Sequence, residues 1–191
     1  GFIEQLIVYF SGHGINSGLY EQWLLSRAPE DPNAAINVRG SEMLARFCGV
    51  GHVVLISDAC RTAADSIQAQ GVKGGEIFPN LKARSVENPV DQYFATLVGN
   101  PAFEIRAVTD AASRYRAAYS TVLLDALKGN APEIVDSLSG HRFVRPRSLK
   151  KHLSIAVPEF LHSLNLPSGE TQQPDARIES DETAWIAELP A

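Results

Sequence analysis

Two runs of residues decide the fold of this chain: LIVYFSGHG at residues 6–14 and VVLISDACR at residues 53–61. Each run opens on apolar and β-branched residues that are typical of a buried β-strand. Each run ends in small and polar residues that carry one reactive group, the imidazole of His13 or the thiol of Cys60. We therefore ask whether these two groups form a catalytic pair or whether their positions are a coincidence.

The remaining pattern alternates between strands and helices, which indicates the α/β class. Because two uninterrupted apolar strands are joined through a helix, we expect a mostly parallel sheet with both faces covered. A helix that begins after Ser41 as its N-cap connects these strands. The predicted strands cover residues 4–10, 52–57, 92–99 and 183–189, and the predicted helices cover 42–48, 113–129 and 145–164, the last bent near Pro158. Residues 169–180 are predicted to form a loop.

The composition predicts one domain over residues 1–191 and excludes several kinds of partner. The net charge of −5 and the scattered basic residues argue against nucleic-acid binding. No apolar stretch reaches the roughly 18 residues that a membrane span needs, and no secretory leader opens the chain. With only Cys48 and Cys60 as cysteines, the sequence predicts a cytoplasmic protein with free thiols.

The positions of His13 and Cys60 allow nucleophilic chemistry. In parallel α/β sheets, ligands bind outside the carboxyl ends of the strands, and each of these residues lies three positions past an apolar strand. A cysteine attacks as its thiolate, which a nearby imidazole promotes, and that imidazole then protonates the leaving amine. The backbone N–H groups of Gly14 and Cys60 are candidates for the oxyanion hole. A lone histidine or cysteine in such a place is more often structural, so that alternative stays open.

The segments YFSGHG and ISDACR, together, resemble the caspase-like cysteine peptidases, which include caspases, metacaspases and bacterial relatives. His13 precedes Cys60 by 47 residues, and Asp-Ala-Cys-Arg stands where caspases have Gln-Ala-Cys-Arg. Two later segments, YSTVLLDALKG and QQPDARI, are similar to a helix and a C-terminal segment of bacterial members. The resemblance implies a three-layer α/β/α sandwich with Cys60 as nucleophile and His13 as general acid/base. The first strand and helix of that family have no counterpart here.

Asp58 departs from the caspase pattern and matches the aspartate of the metacaspase Asp-Ser-Cys motif. A carboxylate two residues before the nucleophile lies on the same side of an extended segment as Cys60. It would bind an Arg or Lys side chain and repel an acidic one, so we expect cleavage after basic residues. The alternative is that Asp58 caps the following helix. Thr62 replaces the glycine of the caspase motif, and residues 98–103 would line the substrate groove by the same resemblance.

The sequence thus predicts a cysteine endopeptidase that acts on a protein or exposed peptide loop. The resemblance divides it into a large segment (1–64), a linker (65–91) and a small segment (92–191). Cleavage in the linker, which holds Lys73, Lys82 and Arg84, is a candidate activation step, and an ordinary flexible insertion is the alternative. A sensor or activating domain is an implied partner, and we expect no cofactor and no obligatory metal. The rival functions are a non-catalytic scaffold and a thiol amidase acting on small amides.

Overall fold

The computed structural model describes residues 3–17, 20–80, 87–100, 104–106, 115–164 and 172–190. The strands are β1 Ile3–Gly12, β2 Gly14–Ser17, β3 Tyr20–Leu24, β4 Ala35–Asn37, β5 Val50–Ala59, β6 Thr62–Ala63, β7 Val90–Phe94, β8 Glu104–Arg106, β9 Tyr115–Ala117, β10 Val135–Leu138, β11 His141–Val144, β12 Asp175–Arg177 and β13 Ala187–Leu189. The helices are α1 Val38–Ala45, α2 Ile67–Gln70, α3 Ala118–Leu127 and α4 Pro146–Ser163, with a 3-10 turn at Pro132–Ile134.

The main sheet has the strand order β1-β5-β7-β12. Strands β1, β5 and β7 run parallel, and β12 pairs with β7 in the antiparallel direction. The parallel connection from β1 to β5 contains α1, as expected for a crossover between parallel strands. The predicted α/β class and the mostly parallel central sheet are confirmed.

Both faces of the central strand β5 are covered by helices. Val54 and Ile56 belong to the largest apolar cluster, which includes the inner faces of α3 and α4. Val53 and Leu55 point the other way and pack with Ala45 of α1. This alternation follows from the two-residue period of a strand, and burial on both sides explains the unbroken apolar run in the sequence.

The prediction that residues 4–10 form a buried strand is wrong in its burial, although the strand itself is present. Within the described chain β1 pairs with β5 alone and forms an edge of the main sheet. Leu6 and Val8 pack toward the α1 side, whereas Ile7 and Tyr9 on the opposite face are 41% and 49% exposed. The apolar residues therefore identified the strand correctly, but they did not show that only one of its faces is covered.

Two helix boundaries differ from the sequence-based expectation. Helix α1 begins at Val38, and its N-cap is Asn37, whose side chain accepts a hydrogen bond from Gly40 N at 3.0 Å. Ser41 lies inside the helix, where its hydroxyl donates to Asn37 O and accepts from Ile77 N. Helix α3 begins at Ala118, because residues 115–117 form strand β9. Helix α4 matches its prediction closely and contains Pro158.

Two strand predictions and one loop prediction need correction as well. Strand β7 covers Val90–Phe94 instead of 92–99, and β13 covers only the end of the predicted 183–189 strand. The predicted loop at 169–180 contains β12, whose three residues are too few to show an alternating pattern in the sequence.

The described residues of the segment at 65–91 include regular structure that contacts the rest of the molecule. It contains helix α2, and Gly75 forms an isolated bridge with Ile36. Val72 and Phe78 are buried, whereas Lys73 is exposed. Residues 81–86, with Lys82 and Arg84, lie outside the described residues. None of the helices in the described ranges is both long and apolar enough to cross a lipid bilayer.

Candidate active site

His13 and Cys60 lie at equivalent positions on two chain segments that run side by side. Strands β1 and β5 pair in register up to Gly12 and Ala59, and the pairing resumes at Ile15 and Thr62 between β2 and β6. Both pairs have the same 47-residue offset that separates His13 from Cys60. The two residues therefore lie opposite one another, where neighbouring strands are about 5 Å apart.

Gly14 fixes how closely the two segments approach. A Cβ atom at this residue would lie 2.4 Å from the backbone oxygen of Cys60 and 3.1 Å from Cβ of Ala59. No side chain larger than hydrogen fits at that distance from a backbone atom. The glycine that follows His13 is therefore a steric requirement for placing the histidine turn against the cysteine.

The exposure of the two reactive groups suits chemistry on an incoming ligand. His13 is exposed, and its carbonyl accepts a hydrogen bond from Leu24 N at 2.8 Å, which ties the turn to β3. Cys60 is half-buried in the link between β5 and β6. Reactive thiols occur at partly exposed positions, so the exposure of Cys60 is compatible with such a role.

Asp58 lies near the end of β5 and points toward helix α3. Its carboxylate accepts a hydrogen bond from the Ser120 hydroxyl, and that hydroxyl also lies 2.5 Å from the Tyr9 hydroxyl. Only 5% of Asp58 is exposed. Burial, followed by the charge of Asp58, raises the pKa of the neighbouring Tyr119 well above its ordinary value. The side chain thus lies on the face of the sheet that carries α3.

Asp58 does not cap the helix that follows it in the chain, which was the alternative that the sequence left open. The residues after Cys60 form strand β6, and the next helix, α2, has Ser66 as its N-cap. Ser66 accepts a hydrogen bond from Ala69 N at 3.1 Å.

Arg61, to which the sequence assigned no role, is one of the most buried charged residues of the site. Only 2% of it is exposed, and its guanidinium lies 3.9 Å from the centre of the Phe94 ring. Its Nε donates to Glu21 Oε2 at 3.0 Å, and its Nη1 donates to Thr96 O at 3.3 Å and to Asp175 Oδ2 at 3.4 Å. Nothing in the sequence except its position after Cys60 could have indicated these contacts.

The loop after β7 packs directly against the cysteine segment. Arg61 N donates to Asn100 O at 3.1 Å, and Gly99 N donates to Arg61 O at 2.8 Å. Val98 in the same loop is 54% exposed. This part of the predicted groove at 98–103 therefore lies next to Cys60, whereas residues 101–103 lie outside the described residues.

No protein-family model and no curated protein matches this chain.

A cavity of about 230 Å³ opens on the α1 side of the cysteine segment. Its lining includes Asn16 from the β2–β3 hairpin that follows His13, Val98 from the loop after β7, and the ion pair of Glu21 and Arg61. Arg39 and Arg177 bring two further positive charges to its wall. The cavity is thus a charged recess whose wall includes Arg61, the residue that follows Cys60.

A second histidine and carboxylate, His52 and Asp91, lie at the opposite end of the main sheet. Nε2 of His52 is 2.9 Å from Asp91 Oδ2, and Asp91 also accepts from Glu179 N, Ser180 N and the Ser180 hydroxyl. Both residues are buried near the first residues of β5 and β7. This pair links β5 and β7 to the C-terminal segment and lies at the other end of these strands from Cys60.

Among the residues that the structure describes, no three His, Cys, Asp or Glu side chains gather in a group that could hold a metal ion. That the protein needs no obligatory metal stays a prediction.

Proposed function

We propose that this protein is a cysteine endopeptidase of the caspase-like type, with Cys60 as nucleophile and His13 as general acid/base. The observation that carries the proposal is the common register of the two residues at the carboxyl ends of β1 and β5. The parallel strands with helices on both faces support a caspase-like sandwich. That support is an analogy at the level of the fold, whereas the chemistry is argued from the site.

The proposed reaction follows from the two side chains. The Cys60 thiolate attacks the carbonyl carbon of the scissile peptide bond, and the tetrahedral oxyanion accepts hydrogen bonds from backbone N–H groups, for which we propose Gly14 and Cys60. When the C–N bond breaks, His13 gives its proton to the leaving amine and a thioester remains on Cys60. His13 then takes a proton from a water molecule, which hydrolyses the thioester and releases the thiol.

We propose that Asp58 directs cleavage to positions after Arg or Lys. Its buried carboxylate would form a charge-assisted hydrogen bond with a guanidinium or ammonium, and it would repel an acidic side chain. The Ser120 hydroxyl donates a hydrogen bond to this carboxylate and lies 2.5 Å from the Tyr9 hydroxyl.

Cleavage in the linker 65–91 is part of the same proposal. Lys73 lies exposed on this segment and has the basic character that the proposed specificity requires. Intact-mass analysis of the purified protein and of Cys60→Ala would test the idea. Fragments in the parent that are absent from the variant would support self-cleavage, and identical intact chains in both would exclude it.

The decisive test is a panel of fluorogenic substrates that place Arg, Lys or Asp before the cleaved bond, with small amides as a separate group. We expect hydrolysis of the Arg and Lys peptides and no activity in Cys60→Ala. Activity on small amides but not on peptides would indicate a thiol amidase. No turnover, together with a Cys60 that does not react with iodoacetamide at neutral pH, would indicate a scaffold and overturn the proposal.

A further inference from the structure

We propose that the buried ion pair between Arg61 and Glu21 positions Cys60 against His13. Arg61 is then a positioning residue that acts through the cysteine segment without touching the substrate. The inference rests on the proposed function, because it concerns how the same site is held together.

The contacts of Arg61 tie the cysteine segment to four parts of the chain. The guanidinium packs on Phe94 of β7, and its hydrogen bonds reach Glu21 on β3, Thr96 after β7 and Asp175 on β12. Its backbone is bound on both sides by residues 99 and 100. Since Cys60 is the preceding residue, any rotation or shift of Arg61 is transmitted to the thiol.

Glu21 connects this anchor to the histidine. In the hairpin of β2 and β3, Glu21 lies opposite Asn16, and β2 begins at Gly14, directly after His13. The ion pair therefore joins the segment that carries the thiol to the hairpin that carries the imidazole. The two segments are thus joined at two points, by this ion pair and by the close approach of Gly14 to the backbone oxygen of Cys60.

Because the Arg61–Glu21 ion pair is buried, removing either partner would disturb the local structure. Glu21 Oε1 is buried with no hydrogen-bond partner among the described residues, so the carboxylate depends on Arg61. Burial raises the pKa of Glu21, and the charge and hydrogen bond of Arg61 oppose that rise. A lysine would keep the charge but lose the planar stack on Phe94 and the fork of donors, so it would restore the geometry only in part.

The experiment uses Cys48→Ser as the parent, so that Cys60 is its only thiol. The variants are Arg61→Lys, Arg61→Met, Glu21→Gln and the double variant Glu21→Gln/Arg61→Met. Arg145→Met is the matched control, because Arg145 also forms an ion pair, with Asp136, and lies 5.9 Å from the centre of an aromatic ring, Phe143, but does not line this cavity. Three readouts are needed: kcat and KM on the best basic peptide, the iodoacetamide rate at pH 7 relative to pH 9, and the melting temperature.

For Arg61→Met we expect kcat to fall about 10- to 100-fold with little change in KM, because the thiol and the imidazole are misaligned. The ratio of alkylation rates at pH 7 and pH 9 should fall in the same variant. Arg61→Lys should be intermediate, and the double variant should be no worse than Arg61→Met. Arg145→Met should match the parent in kcat and in the alkylation ratio.

A folded Arg61→Met protein with the parent's kcat and alkylation ratio would overturn the inference, as would purely additive losses in the double variant. If Arg61→Met does not fold, kcat and the alkylation ratio are compared in Arg61→Lys and Glu21→Gln instead. Parent values of kcat and of the ratio in both of these variants would overturn the inference. If the parent hydrolyses no peptide, the proposed function fails, and the alkylation ratio alone decides. An unchanged ratio in the variants would then overturn the positioning role.

Discussion

At the scale of single residues, the site depends on the absence of a side chain at residue 14. Gly14 lies against the backbone oxygen of Cys60, and a Cβ at 2.4 Å would force the two segments apart. Because the neighbour is backbone, it cannot move aside as the end of a flexible side chain would. We therefore expect the proposed alignment of the thiol with the imidazole to be sensitive to a single methyl group.

Gly14→Ala should lower kcat/KM on the best basic peptide by about 100-fold or more, because a shift near 1 Å is enough to misalign reacting groups. Gly75→Ala is the matched control, since a Cβ at Gly75 would meet nothing within 4 Å. We expect that control to keep the parent's activity. Parent-level hydrolysis by a folded Gly14→Ala protein would contradict this reading of the contact.

Asp58→Asn keeps the shape of the side chain and removes its charge. If the carboxylate binds the basic side chain of the substrate, the preference for Arg over a neutral residue should fall by about tenfold or more, since hydrogen bonds to charged groups contribute roughly 1.5–3 kcal/mol. The measurement compares kcat/KM on Arg and norleucine peptides in both proteins. An unchanged ratio would remove Asp58 from substrate recognition and leave the catalytic pair untouched.

At the scale of elements, the strands that carry chemistry were predictable, and the elements that support them were less so. The segments 6–14 and 53–61 each show an apolar run that ends in small residues, and both form parallel strands as predicted. The burial of β1, the N-cap of α1 and strand β12 were predicted wrongly, because each depends on which elements pack nearby. Arg61 and Ser120 were missed as parts of the site for the same reason: their partners lie far away in the sequence.

The His52–Asp91 pair illustrates how the far end of the sheet is held. Asp91 is fully buried and accepts hydrogen bonds from His52 and from residues 179 and 180, so it joins β7 to β5 and to the C-terminal segment. Burial alone would raise the pKa of Asp91, but these hydrogen bonds outweigh it and hold the pKa below the ordinary 3.8. The ionised carboxylate is therefore the form that stabilises the fold.

Asp91→Asn should lower the free energy of unfolding at pH 7 by about 2–3 kcal/mol, as expected when one member of a buried, hydrogen-bonded network loses its charge. Because the pKa is lower in the folded state, this stabilisation is complete above about pH 4 and is lost as the pH falls through the folded-state value. Urea unfolding at a series of pH values from 7 to 2.5 should show the gap between parent and variant closing in acid. A gap that stays constant would contradict the assigned direction.

At the scale of the whole molecule, the fold brings two distant segments together by a single continuous register. Paired residues are 47 positions apart from the start of β1 to the end of β6. The break in strand pairing therefore falls at His13 in one segment and at Cys60 in the other. The sheet thereby places a thiol, an imidazole and a buried carboxylate at its carboxyl edge. That both segments end at the same edge of the sheet was predicted from the sequence, whereas the close approach at Gly14 and the contacts of Arg61 required the structure.

The central claim is that His13 and Cys60 are direct neighbours, and the most direct measurement is cross-linking at these two residues. In a Cys48→Ser background, His13→Cys should form a disulfide with Cys60 under mild oxidation, because disulfides join Cα atoms about 4.4–6.8 Å apart. Ser17→Cys, placed at the far end of β2, is the control and should keep both thiols free. A count of free thiols near zero for His13→Cys is the predicted result. Two free thiols in that oxidised, folded variant would show that the residues are not neighbours and would contradict the account.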